Sequence, residues 1–508
     1  MACHNGMTNA SGDDVSIGVA WRATMMANSS RDPYWQASVR RETMDHPKAA
    51  REIEDECSVC HMPMARTAAH ASGAAGKVFA HLPVAARAPA GTGAAADPLA
   101  RLAIDGVSCT LCHQITPQNF GTAASFTGGF AIDTTTAAEK RPLFGPFMPD
   151  PALQKVMHSA TGFQQAEGPH IRQSELCATC HTLYTTARDR NGEAIGRFPE
   201  QVPFQEWQHS SVDATASCQT CHMPAIAGSA PIASVLAPPR EGGRRHSFVG
   251  GNFFVLRMLN RFRNELAVEA PADELEHAAS GTLAHLAGSA ARLSIDRATL
   301  AGGRLTVDVS VSNLSGHKLP TAYPSRRAWL RVIVRDTSGR TLFSSGASDA
   351  SGAIAGNAND ERPSAFEPHY RQIRSGDQVQ IYESILADST GTVTTSLISA
   401  MRYAKDNRLL PKGFDKSTAH ADIAVHGEAR DDADFTGDGD RVQYLIDVNE
   451  GAGAVTVEAS LLFQPIGFRW ADNLRAYRAD EPSRFVKYFD EMSSESTATL
   501  ARATVTVR

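Results

Sequence analysis

Four short stretches decide how the first half of this chain folds: CSVCH (57–61), CTLCH (109–113), CATCH (177–181) and CQTCH (218–222). Each has two cysteines separated by two residues and followed at once by a histidine. In a chain with nine cysteines and 18 histidines, one such match arises by chance with odds of roughly one in two hundred. Four matches therefore indicate one chemistry that is repeated four times.

Cys-x-x-Cys-His is the attachment pattern of haem c. Two thiols add across the vinyl groups at one porphyrin edge, so they must lie close together, and the next residue offers an imidazole nitrogen to the iron. Zinc sites use Cys-x-x-Cys pairs without requiring a histidine after each, and disulfides within such pairs are usually catalytic. We therefore predict four haem c groups. Their attachment residues are Cys57, Cys60, Cys109, Cys112, Cys177, Cys180, Cys218 and Cys221, and their proximal ligands are His61, His113, His181 and His222.

The ninth cysteine belongs to an incomplete motif at the start of the sequence. Cys3 is followed by His4, and a cysteine directly before Met1 would complete a fifth Cys-x-x-Cys-His. We therefore expect the sequence to begin inside its first haem motif, with any signal peptide upstream. A haem at this position would hold one thioether bond, through Cys3, and His4 as its proximal ligand.

Each iron needs a sixth ligand or an open position, and the chain has 13 histidines besides those that follow a cysteine. The distal candidates are His46, His170, His209, His246 and His317, with His70, His81 and His158 in reserve. Sequence spacing does not say which histidine serves which haem. We interpret His277, His285, His369, His420 and His426 as non-ligands.

The composition of the chain argues against some classes of protein. The 508 residues are 42% hydrophobic and carry a net charge of −6, which argues against a general nucleic-acid binder. No apolar run is long enough to predict a transmembrane segment. The first 30 residues lack the basic and apolar regions of a signal peptide.

The haem motifs all lie before residue 223, and that region is rich in loops such as 84–98. We expect the haems themselves to form its core. The predicted domains are a multihaem domain at 1–250, connecting helices at 251–289 and a β-domain at 290–508. Asn252 is a plausible N-cap for a helix within 250–266, and a second helix is predicted from after Pro271 to about 288.

From about residue 290 the pattern alternates between apolar and polar residues, with turn signals between the runs. It predicts an antiparallel β-sandwich, interrupted by helical pieces near 394–407 and 481–493. The stretch DADFTGDGD (432–440) is faintly like a calcium-binding loop. Thr436 and Gln443 stand where such a loop needs acidic residues, so we interpret this stretch as a hairpin turn. The fold class is therefore α+β, with a haem-cored region followed by a sandwich.

The chain resembles the multihaem cytochrome c family, in a subgroup with an N-terminal haem region and a C-terminal β-domain. The resemblance rests on the four motifs, on HMPM (61–64) and HMP (222–224), and on GHKLPTAYPSRRAWLRV (316–332), and it covers nearly the whole chain. It implies electron transfer in the periplasm or outside the cell, usually with two axial histidines on each iron. The incomplete first motif departs from the family pattern.

Three hypotheses about function follow. The first is an electron-transfer protein that serves redox partner proteins. The second is a multihaem oxidoreductase with one open-site haem that acts on a small nitrogen or other inorganic substrate, although the lysine-bearing CxxCK motif of ammonia-forming nitrite reductases is absent. The third is a structural role, in which the β-domain docks to a partner or to copies of itself.

Overall fold

The chain folds into two compact units, as described by a computed structural model that covers residues 2–83, 98–448 and 453–508. Unit 1 comprises Met1–Leu183 and Ala216–Thr282, and unit 2 comprises Tyr184–Thr215 and Leu283–Arg508. Residues 84–97 of the loop predicted at 84–98 lie outside the described residues. No helix in the described part of the chain has both the length and the apolar character needed to cross a membrane.

The helices are mostly short. In chain order they are α1 Ile17–Arg22, α2 Pro33–Asp45, α3 Ala50–His61, α4 Pro63–Ala71, α5 Pro98–Ile104, α6 Cys109–Cys112, α7 Pro151–Thr161, α8 Ser174–His181, α9 Pro203–Gln208, α10 Cys218–His222, α11 Phe253–Arg261, α12 Ala272–Ser289, α13 Ala358–Glu361, α14 Phe468–Asp472 and α15 Asp480–Met492. The helix predicted within 250–266 is α11, and it ends at Arg261. Its N-cap is Asn252, whose side chain accepts a hydrogen bond from the Val255 amide.

The strands lie mainly in the second half. They are β1 Ile115–Thr116, β2 Ala131–Ile132, β3 Pro142–Gly145, β4 Gln164–Glu167, β5 Leu183–Arg188, β6 Ala194–Gln201, β7 Ala291–Ala301, β8 Arg304–Asn313, β9 Arg327–Asp336, β10 Thr341–Ser345, β11 Gln372–Ile373, β12 Ile381–Asp388, β13 Val393–Thr394, β14 Ala400–Asp406, β15 Asp440–Asp447, β16 Val455–Gln464 and β17 Ala498–Val507. All the runs predicted as strands after residue 290 are strands. Residues 394–407, expected to be partly helical, instead contribute β13 and β14.

Unit 1 has several small hydrophobic clusters. The largest brings together buried side chains of α2, α4 and α5, and its members are Trp35, Val39, Met62, Ala65, Val78, Leu82, Ala103 and Ile104. Helix α11 is buried along most of its length. The short helices that carry the Cys-x-x-Cys-His motifs are α3, α6, α8 and α10, and all four belong to this unit.

Unit 2 contains two larger sheets. One has the strand order β13-β12-β9-β16-β17, with β10 added to β9 and β14 to β12, and the other has the order β11-β15-β8-β7. Neighbouring strands in both are antiparallel, except the two-residue strand β11, which runs parallel to β15. Every second residue of β8 is buried, whereas nearly all of β12 is buried. Their packing as a sandwich stays a prediction.

The stretch 432–440 ends in a tight turn. The Thr436 amide donates to the Gly439 carbonyl at 2.9 Å, and the Gly439 amide donates back to the Thr436 carbonyl at 3.1 Å. Strand β15 begins directly afterwards, at Asp440. The turn therefore delivers Asp440 to the buried face of its sheet, where it is 2% exposed.

Candidate haem-binding site

The motif residues lie at helix positions that place both thiols and the imidazole together. Cys57, Cys60 and His61 are at positions i, i+3 and i+4 of α3, and these positions share one helix face. In α6, the Ser108 side chain caps the helix by accepting from the Leu111 amide at 3.3 Å. Because the residues of a motif are three and four positions apart, its two thiols and its histidine lie on the same face of the helix.

Backbone carbonyl groups hold the histidines that follow the cysteines. Nδ1 of His61 is 3.1 Å from the Ser29 carbonyl oxygen, and Nδ1 of His113 is 2.5 Å from the Phe144 carbonyl oxygen. The remaining pairs are His222 with Val249 at 2.6 Å and His4 with Ile232 at 2.7 Å. A carbonyl oxygen only accepts, so each Nδ1 carries the proton and each Nε2 carries the lone pair that a metal needs.

His61 is held from three directions. Its ring stacks on Trp35 with ring centres 4.4 Å apart and planes 5° apart. The Ser29 hydroxyl donates to the His61 carbonyl oxygen at 2.9 Å, while the Ser29 carbonyl binds the ring. Burial and, to a smaller extent, the neighbouring His181 lower the pKa of His61 to about 4, although the Ser29 carbonyl opposes the shift. The ring is therefore neutral at pH 7, as an iron ligand must be.

Thiols from different motifs lie against one another. The Cys60 thiol donates to the Cys180 carbonyl oxygen at 4.0 Å, and a separate hydrogen bond between the Cys60 and Cys180 side chains lowers the pKa of the Cys180 thiol. The Cys177 and Cys218 thiols hydrogen-bond to each other, which raises the pKa of Cys177 and lowers that of Cys218 to about 7. Burial raises the pKa of Cys112 to about 12, and the nearby Cys180 contributes. The structure therefore gathers the four complete motifs into one cluster.

This donor set fits haem c better than zinc or disulfides. The nine cysteines, all within the described part of the chain, form no disulfide. Among the described residues, no three cysteine or histidine ligand atoms of the motifs lie within 4.8 Å of one another, as a zinc ion would require. Each complete motif instead offers two thiols and one imidazole, and in the motifs of His61, His113 and His222 the Nε2 atom carries the lone pair. These are the groups that attach and ligate haem c.

One histidine predicted as a distal ligand lies near a histidine predicted as a proximal ligand. The ring centres of His246 and His113 are 6.4 Å apart, with planes inclined by 21°. Nδ1 of His246 is 3.2 Å from the Arg244 carbonyl oxygen. Burial lowers the pKa of His246 to about 4, with smaller contributions from the neighbouring His113 and His4. His4, His113 and His246 are therefore neighbours in unit 1.

The other distal candidates have different surroundings. In unit 1, His46 is buried where α2 ends, and Nε2 of His170 is 2.9 Å from the Ile115 carbonyl oxygen. In unit 2, Nε2 of His209 is 2.9 Å from the Asp415 carbonyl oxygen, and Nδ1 of His317 is 3.0 Å from the Lys318 carbonyl oxygen. The assignment of these four histidines as haem ligands stays a prediction.

A second cluster of ligand-type side chains lies in unit 2. His369, Asp432 and Asp440 are buried, and their nearest nitrogen and oxygen atoms lie within 4.8 Å of one another. Nε2 of His369 is 3.2 Å from Asp432 Oδ2 and 3.7 Å from Asp440 Oδ1. On the other side of the ring, the Gln380 and Asn407 amides donate to Nδ1 at 2.8 and 3.1 Å.

These amides decide the tautomer of His369. Their oxygens accept from the Tyr370 and Glu383 backbone amides, so their NH₂ groups must face Nδ1. Nδ1 is therefore the acceptor, and Nε2 carries the proton. Histidines that bind a metal through one ring nitrogen donate a proton from the other, which is the reverse arrangement. We therefore interpret this cluster as a buried hydrogen-bond network that positions β15.

Sequence reasoning missed the groups that orient the histidines. These are the Ser29, Phe144, Ile232 and Val249 carbonyls and the Trp35 ring. Every residue has a carbonyl group, so no residue type or spacing marks these four positions. Trp35 lies 26 residues before His61 in the sequence, and no motif links the two.

Comparison with known proteins gives one result. Neither a protein-family model nor a curated protein matches the sequence. Among solved structures, the chain is similar to a penta-haem cytochrome c552 from Thermochromatium tepidum, with a TM-score of 0.50 and 16% sequence identity over 96% of each chain. This likeness concerns the fold, and it shows a fold like that of a multihaem cytochrome c.

Proposed function

We propose that this protein is a multihaem c-type cytochrome that carries electrons through closely spaced, mostly bis-histidine haems to a redox partner protein. The observation that carries the proposal is the clustering of thiols from separate motifs, such as Cys60 with Cys180 and Cys177 with Cys218. Because each thiol attaches a porphyrin edge, sulfur atoms in contact mean closely spaced haem sites.

Haem c bound at these motifs would supply a one-electron iron couple. The chain's own residues do the rest. The thiols anchor each group, and the backbone carbonyls on Nδ1 fix the orientation and basicity of the proximal imidazoles. His61 and His113 are half-buried, and this burial would contribute to setting the potential of a bound haem.

The site of action that we propose is periplasmic or extracellular, because c-type haem proteins of the family that the sequence resembles work there. The proposed partners are redox proteins, with self-association as a further possibility. The β-strands of unit 2 carry no cysteine, since the last one is Cys221. We therefore expect no covalently attached haem in residues 283–508.

The first prediction concerns haem content. After export in a host with a c-type haem maturation system, the intact mass should show four haem increments, with a fifth if Cys3 holds one through a single thioether bond. The matched variant, Cys218→Ser with Cys221→Ser, should lose one increment because it lacks both thiols of one motif. A wild-type mass without haem increments would overturn the proposal.

The same preparation tests electron transfer against catalysis. If the haems are bis-histidine, electron paramagnetic resonance of the oxidised protein should show only low-spin signals, and the reduced protein should bind no carbon monoxide. A stoichiometric high-spin haem that binds carbon monoxide or nitrite would favour the oxidoreductase alternative, because such an iron has an open position for a substrate.

A further inference from the structure

His113 and His246 are arranged as two imidazoles that share one metal ion. Their ring centres lie 6.4 Å apart. Two imidazoles on opposite sides of a metal have ring centres about 6 Å apart, because each metal–nitrogen bond is about 2 Å and each ring nitrogen lies about 1 Å from its ring centre. The observed separation therefore matches that of two axial ligands.

Direct stacking does not account for this pair. In the same unit, Trp35 and His61 stack face to face with ring centres 4.4 Å apart and planes 5° apart. His113 and His246 are less nearly parallel, with planes 21° apart, and their centres are 2.0 Å farther apart, at 6.4 Å against 4.4 Å. The distance between the ring centres is therefore too long for close stacking, and it leaves room for an ion between the two ring nitrogens.

The hydrogen bonds of both rings agree with this geometry. Nδ1 of His113 donates to the Phe144 carbonyl, and Nδ1 of His246 donates to the Arg244 carbonyl. Both rings therefore carry their lone pair on Nε2, the nitrogen that binds a metal when Nδ1 donates to the protein. A pair of histidines that only filled space would not need the same tautomer.

Residues 244–249, the segment that contains His246, include an unusual backbone conformation. Phe248 has a φ of 42°, a left-handed conformation that is unfavourable for a residue with a Cβ atom. Its ring packs edge-on against His246 at 5.8 Å and against Trp21 at 5.4 Å. One residue later, the Val249 carbonyl binds Nδ1 of His222. The strained turn thus lets one short segment serve two haem motifs.

We propose that His246 is the second axial ligand of the haem attached at Cys109 and Cys112, opposite His113. The proposal rests on the proposed function, since it needs haem at that motif. It makes this iron six-coordinate and reserves it for electron transfer. Residues 244–249 then contact the second and the fourth complete motifs, through His113 and His222.

The test uses the full-length haem-loaded protein and His246→Ala. Intact mass should show the same number of haems as the wild type. Electron paramagnetic resonance should show one haem changed from low spin to high spin, and the reduced variant should bind one carbon monoxide per molecule. Added imidazole should restore the low-spin signal, because it can occupy the vacated position, whereas a purely structural role would give no such rescue.

His277→Ala is the matched control, because His277 lies exposed on α12 of the same chain. It should leave the spectrum unchanged. If His246→Ala does not yield folded protein, His246→Met decides, since methionine keeps six ligands and raises the potential of one haem. Full haem content with an unchanged spectrum in His246→Ala, or unchanged potentials in His246→Met, would overturn the inference. A wild type without haem would instead overturn the proposed function.

Discussion

Asp32 shows how a single buried carboxyl group can make the stability of unit 1 depend on pH. It is 8% exposed and caps α2, accepting hydrogen bonds from the Tyr34 amide at 2.9 Å and the Trp35 amide at 3.3 Å. Burial raises the pKa of Asp32 to about 6, although the two amides oppose the shift. Unfolding returns the pKa to about 3.9, so the protonated form favours the folded state.

The stability that Asp32 contributes is complete below about pH 4 and is lost as the pH rises through about 6. Asp32→Asn keeps the cap but cannot ionise. Between pH 4 and pH 7, the free energy of unfolding should therefore fall by about 2–3 kcal/mol less in the variant than in the wild type. Urea unfolding followed by far-ultraviolet circular dichroism measures this difference.

Asp150→Asn supplies the control for Asp32. Asp150 caps α7 through the Ala152 and Leu153 amides, but at an exposed position. This substitution therefore measures the effect of replacing a capping carboxyl group by an amide without the effect of burial. Equal slopes for Asp32→Asn and the wild type would show that the burial of Asp32 does not control its ionisation.

At the scale of single residues, the sequence indicates those residues whose role depends on covalent attachment and on short spacing along the chain. Cys57, Cys60 and His61 are proposed as a haem-attachment set because attachment chemistry requires those residue types at that spacing. That His246 lies beside His113 could not be predicted, because His246 lies in a distant part of the sequence and the chain offers several equivalent histidines. Only the folded path of residues 244–249 singles it out.

At the scale of elements, the short helix α9 is fixed in unit 2 by a buried group of charges. Glu206 on this helix pairs with Arg408 at 2.9 Å and accepts from the Lys318 amide at 3.1 Å. Asp406 completes the group, at 2.7 Å from Lys318 Nζ and 2.8 Å from Arg408. Burial would raise the pKa of Asp406, but the two cations hold it well below its usual value.

Removing one charge from this balanced group should be costly. Glu206→Gln leaves the Lys318 and Arg408 cations with Asp406 alone, and an uncompensated buried charge costs about 3–5 kcal/mol. The variant should therefore unfold at a lower urea concentration. The control is Asp447→Asn, which breaks an exposed pair with Arg304 that contributes about 1 kcal/mol or less. Similar shifts for both variants would contradict the argument.

Elements were predictable where burial follows the residue pattern. Strand β8 buries every second residue, and its apolar residues alternate accordingly. The segment 394–407 was predicted to be partly helical because β14 interrupts that pattern. Lys405 of β14 is 0% exposed, and its charge is balanced by Glu383 of β12 at 3.0 Å. Because a buried position of this strand is occupied by a lysine, the strand does not show the alternation of apolar and polar residues that would predict it.

For the whole molecule, unit 2 is discontinuous in sequence. It includes residues 184–215, which lie between two haem motifs and within the domain predicted at 1–250. These residues pack within unit 2 through the buried Phe198, through Tyr184, which donates to Asp422 at 2.6 Å, and through Glu206. Sequence composition could not reveal that residues 184–215 belong to unit 2, because the ion pair that fixes them joins Glu206 to Arg408, about 200 positions later.

The insertion should be needed for the full stability of unit 2. Residues 283–508 alone lose Glu206, the partner of Arg408, and expose the surface that covers Phe198. The comparison chain joins residues 184–215 to the start of this fragment through a Gly/Ser linker. We expect the free energy of unfolding of the fragment to be lower than that of the comparison chain by at least about 3 kcal/mol. A linker of about 20 residues reaches about 25 Å. Both chains should lack the haem absorption band, because neither contains a cysteine. Equal urea midpoints for the two chains would show that residues 184–215 contribute nothing to the stability of unit 2.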